Sequence, residues 1–114
     1  MIRGIRSEDT NGVFIDGVKL EPGPSQDVIN HSPDGFCWGY AGSGPAQLSL
    51  ALLMWFYPVW VATEYYQKYK SDVISKLPIG SDWELPSDSV IDWVIDNLSR
   101  EDTMTLAAWY REDK

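Results

Sequence analysis

The chain has 114 residues, 44% of them apolar and 23% charged. That is the composition of one globular domain able to bury its own core, and it argues against an intrinsically disordered chain. Seventeen acidic residues against nine basic ones leave a net charge of −8, which disfavours direct attraction to nucleic acid or to an anionic membrane.

A single cysteine, Cys37, permits no intramolecular disulfide. With no leader-like apolar stretch after Met1, the expected setting is reducing and cytoplasmic. The longest apolar run, Leu50 to Tyr57, is interrupted by Pro58 and stops at Ala62. It is shorter than the roughly 20 residues of a membrane span.

In chain order, Ile2 to Arg6 and Val13-Phe14-Ile15 read as short strands, and Asp16-Gly17 before Val18-Lys19-Leu20 is a hairpin signal. A two-residue type I′ turn needs positive φ at both central positions, which Asp-Gly tolerates. Glu21 to Ser25 reads as a loop, and residues 28–35 carry turn chemistry twice, in Ser32-Pro33 and Asp34-Gly35. Phe36, Trp38 and Tyr40 alternate with Cys37 and Gly39, which predicts a strand over 36–40 with one aromatic face and one bare face. Ala41 to Gly44 turns the chain, and Pro45 opens a helix reaching about Tyr57.

Pro58 kinks that helix or begins a second one, running to Leu77 and stopped by Pro78. Val59, Ala62, Tyr66, Tyr69, Val73 and Leu77 would form its core face. A third helix is predicted from about Asp88 to Ser99, with Ile91, Val94, Ile95 and Leu98 as its apolar stripe. Thr103 to Tyr110 fits a strand or a helical turn equally well. The expected fold is therefore α+β: a small N-terminal antiparallel sheet, made of the hairpin plus strand 36–40, packed with about three helices in one domain over 1–114.

Three patterns bear on chemistry. The order strand, glycine turn, helix start over 36–47 puts unpaired N–H groups at a helix N-terminus, where a phosphate or carboxylate is attracted. Trp38, Tyr40, Gly42, Ser43, Gly44 and Gln47 are its candidate ligand-binding residues. No Gly-Lys-Ser/Thr follows and no G-x-G-x-x-G is present; the alternative reading is that the glycines permit close strand–helix packing. Ser43 with His31, the one histidine, is the alternative of a hydrolytic dyad, against which Ala41 stands where a G-x-S-x-G elbow needs glycine. The Cys and His content offers no zinc spacing and the carboxylates no EF-hand order. No metal or cofactor is expected, and no enzyme.

The second pattern is Asp88, Asp92 and Asp96 at i, i+4 and i+8, opposite the predicted apolar stripe. Like charges at that spacing cost about 0.2–0.5 kcal/mol per pair. Residues 81–114 hold nine acids and three bases. The third is the crowding of Trp55, Phe56, Tyr57 and Trp60, more large rings than one core stripe can absorb, which places some of them on a surface or in a homodimer contact.

The stretch Asn30 to Leu48 resembles the signature of an uncharacterised domain family of bacteria, phages and mobile elements, roughly NHSPxGFxWGYxGSGPAQL. Tyr66-Gln67-Lys68-Tyr69-Lys70, Val73-Ile74 and Leu77-Pro78 are similar to its second block, and Trp83 with Leu85 to its third. The resemblance spans nearly the whole chain and implies a shared fold. Met54-Trp55-Phe56-Tyr57 and Trp60 depart from its small aliphatic pattern.

Small size, acidity and spare aromatics resemble phage-encoded inhibitors of host defence, such as anti-CRISPR proteins. The leading expectation is thus a non-enzymatic inhibitor in the bacterial cytosol. It would meet a basic, nucleic-acid-binding surface of a host defence protein through Trp55, Phe56, Tyr57, Trp60, Asp88, Asp92 and Asp96. The alternative is a module binding a nucleotide, phosphate or carboxylate at the 39–47 turn.

Overall fold

A computed structural model describes residues 1–9 and 11–112. Four short strands, β1 (Ile2–Ile5), β2 (Gly12–Ile15), β3 (Val18–Lys19) and β4 (Trp83–Leu85), form one antiparallel sheet in the order β3-β2-β1-β4. Around it lie α1 (Gly23–Val28), α2 (Ser43–Phe56), α3 (Val59–Asp72), a 3-10 turn (Ile74–Lys76), α4 (Ser87–Asn97) and α5 (Arg100–Glu112). The fold is α+β, as the element pattern implies.

The hairpin forms as its turn residues require. Asp16 and Gly17 both take positive φ, 49° and 83°, and Ile15 pairs with Val18 across them. Ile2, Val13 and Ile15 point into the core while Arg3 and Ile5 face outward, the alternation that fixes register on a one-sided sheet.

Residues 36–40 are not a strand, and the fourth strand is Trp83–Leu85, which pairs Ile2 with Leu85 and Gly4 with Trp83. Phe36 and Trp38 are indeed buried, but the segment has no ladder. Gly39 turns to φ 88° and donates its N–H to the Ile74 carbonyl at 3.0 Å, and the Phe36 carbonyl accepts from Asn11 Nδ2 at 3.2 Å.

Five helices among the described residues replace the expected three. The Glu21–Ser25 loop is cut short by α1, where a proline in the first helical turn presets φ and Ser25 Oγ donates to the Pro22 carbonyl. Pro58 begins a new helix instead of kinking the old one, since Tyr57 leaves helical space at ψ 160°. That helix, α3, ends at Asp72, short of Leu77. The undecided tail is α5, through Glu112; Asp113 and Lys114, which belong to the acidic count above, lie outside the described residues.

Helix α2 sits at the centre. Ten of its fourteen residues, Gly44 through Leu53, are buried, the mark of a helix enclosed on all sides. It packs against α1, α3, α4 and the 3-10 turn, and one apolar cluster joins it to Ile2, Val13 and Ile15 of the sheet. On α3 the buried face is Val61, Ala62, Tyr66 and Tyr69, and Val59 is exposed.

On α4 the stripe is displaced. Val90 and Val94 are buried, Ile91 and Leu98 partly so, and Ile95 is 60% exposed. Trp93 accounts for the rotation: its ring stands edge-on to Tyr69 and its indole N–H donates to Asp72 at 3.1 Å. That draws the 90/93/94 side inward.

Candidate functional site

The signature segment is organised by Gln47. Its side chain is fully buried in a mostly apolar stretch of α2, where Ser49 is the only other buried polar residue, and makes four hydrogen bonds. Oε1 accepts from the backbone N–H of His31 (2.7 Å) and of Ser32 (3.0 Å). Nε2 donates to Ser25 Oγ (2.9 Å) and to the Ile29 carbonyl (3.1 Å). This amide therefore closes the accounts of an irregular loop that has no ladder of its own.

Trp38, also buried, donates its indole N–H to the Ser81 carbonyl at 3.0 Å and packs edge-on to Trp83. Both side chains, Trp38 and Gln47, are buried, away from solvent. The glycines are occupied in the same way. A Cβ on Gly44 would lie 2.6 Å from Cys37 Cβ, and one on Gly39 would lie 2.6 Å from the Ile79 backbone. Close packing, the alternative to anion binding at this turn, accounts for both.

Tyr40, Ser43 and Gly44 do border an open cleft of about 410 Å³, together with Arg6, Cys37 and three carboxylates, Glu8, Asp9 and Asp34. Burial, then a hydrogen bond with Cys37, pushes the Tyr40 phenol above its ordinary value. One guanidinium facing three carboxylates is a poor electrostatic setting for an anion. Gly42 leaves room for the Tyr40 ring, which a Cβ would meet at 2.4 Å.

No hydrogen bond joins Ser43 and His31 among the described residues. His31 Nε2 pairs with the Tyr66 hydroxyl at 2.7 Å, so the ring is committed to α3. Among the described residues no three His, Cys, Asp or Glu side chains converge into a metal-binding set.

The other candidate surface is on α4. Asp88, Asp92 and Asp96 are all exposed. The ion pairs among the described residues lie elsewhere: the Met1 ammonium with Asp16, Arg3 with Glu84, and Lys68 with Asp72. The exposed side chain of Ile95 shares the face of the three aspartates. Of the crowded rings, Trp55 is 45% exposed, whereas Phe56, Tyr57 and Trp60 pack partly against the core. Tyr57 donates to the Ile91 carbonyl at 3.2 Å. Burial first, then the proximity of Tyr110 and Asp92, raises its hydroxyl pKa.

Sequence reasoning passed over two tethers. The Asp72 carboxyl is held below its ordinary value by the Lys68 ammonium at 2.7 Å, against some desolvation and with help from the Trp93 N–H. Tyr65 accepts from the Ser99 N–H at 3.0 Å and donates to Asp102 at 2.5 Å, joining α3 to the start of α5. It also passed over the exposed Met104, Trp109 and Tyr110 of α5. A helical reading of 100–112, with Leu106 as its one apolar anchor, would have flagged them.

Fold and surface together define a small α+β domain built round one enclosed helix, with a row of free carboxylates on its flank. The profile of a family of unknown function, DUF6166, matches residues 2–96, and the chain belongs to that family. No curated protein and no solved structure matches it. No helix among the described residues is long and apolar enough to cross a membrane.

Proposed function

We propose that the protein is a non-enzymatic binding module that docks the outer face of α4 on a basic surface of another protein. The observation that supports this most is the row Asp88, Asp92 and Asp96, exposed and free of cationic partners among the described residues. Successive carboxylates on one helix face stand about 6 Å apart along its axis. The arrangement costs the free helix some repulsion and is relieved when lysines or arginines of a partner approach. Such partners are densest where a protein binds nucleic acid, so the target class is a nucleic-acid-binding groove. A defence component of a bacterial host, CRISPR–Cas effectors included, is the finer form of this proposal, and inhibition by occupancy is its mechanism. Ile95 would add apolar area beside the charged row, whereas Trp55 lies apart from it, in a cleft with Lys19, Pro24 and Met54.

The test is capture from the native host with the wild-type protein and with Asp88→Lys/Asp92→Lys/Asp96→Lys. The expected partner binds wild type, is lost from the triple variant, and is released by added duplex DNA or RNA and by high salt. A partner retained equally by both proteins would remove the acidic-face reading.

A further inference from the structure

Helix α5 is attached differently from every other long helix. Of its thirteen residues only Leu106 is buried. Its ties to the rest of the described residues include the Tyr65 hydroxyl, bonded to Ser99 and Asp102, and the approach of Tyr110 to Tyr57. Its entry is a hinge in form: Leu98 leaves helical space at ψ 133°, and Ser99 Oγ caps the new helix by accepting from the Asp102 N–H at 3.0 Å. The family profile ends at residue 96, so the part shared with the family lies wholly before α5. An isolated helix of this length is marginal in water, and regions with few buried apolar side chains open at low free energy.

We propose that α5 is a releasable strap. It undocks as one unit while the sheet and α1–α4 stay folded, and it then uncovers the Tyr57 and Tyr65 rings, both half-buried against the core, Tyr57 lying near Asp92. Closed, the flank offers carboxylates; open, it offers carboxylates with a flanking aromatic ledge. The device is read on the free protein and so stands or falls apart from any partner.

Amide hydrogen exchange on the full chain tests it. The α5 amides should exchange together, ~100-fold or more faster than those of α2. Leu106→Ala should speed α5 by a further ~10-fold, and Tyr65→Phe should speed it as well, with α2 unchanged in both. Protection of α5 within ~10-fold of α2 would overturn the proposal. So would stepwise fraying from Glu112 towards Arg100, or a Leu106→Ala effect that reaches α2 in equal measure.

Discussion

Helix α2 and the α4 flank spend their polar groups in opposite ways. On α2 the one amide in a buried run, that of Gln47, has all four of its bonds inside the molecule, and Cys37 occupies the space a side chain on Gly44 would take. On α4 three carboxylates face water with no internal partner among the described residues. The segment that looks most like a site in the sequence thus has Gln47, Gly39 and Gly44 engaged in internal packing, and the row that looks like an ordinary solvated face is the surface proposed above for recognition.

Substitutions can break this contrast, beginning with the largest effect. Gln47→Met keeps the volume but strands the His31 and Ser32 N–H groups, so urea unfolding should show a loss of about 3 kcal/mol. A loss below about 1 kcal/mol would mean that water or another group replaces the amide. Gly44→Ala sets the overlap with Cys37 against better helix propensity. Overpacking costs about 1–3 kcal/mol and propensity returns less than about 1, so a net loss is expected by the same measurement. Asp92→Asn goes the other way. It relieves repulsion from both neighbours and should raise stability by about 0.5 kcal/mol in low salt, a gain that shrinks as salt is added.

What was legible in the sequence is what local geometry dictates. Asp16-Gly17 demanded a hairpin, and Pro45, Pro58 and Pro86 each lie at or within a residue or two of a helix start. What was not legible depends on partners distant in the chain. Trp83–Leu85 is a strand only because Ile2–Gly4 lies beside it, and three residues carry no periodic signal. The alternation in 36–40 records one-sided burial, which an extended segment can have without a ladder. The rotation of α4 follows from Trp93 reaching Asp72 and Tyr69, contacts that no spacing rule contains. Gln47 did leave a trace, as the lone amide in a mostly apolar helix, and its meaning is clear only once the helix is known to be buried all round.

The loop over 29–32 has, by composition, the look of a place where a protease would cut. Its peptide groups are instead fastened to the most deeply enclosed helix through one side chain, so cleavage there has to wait for that helix to come apart. A nick in this stretch would signal a molecule already losing its centre, not a pliable edge.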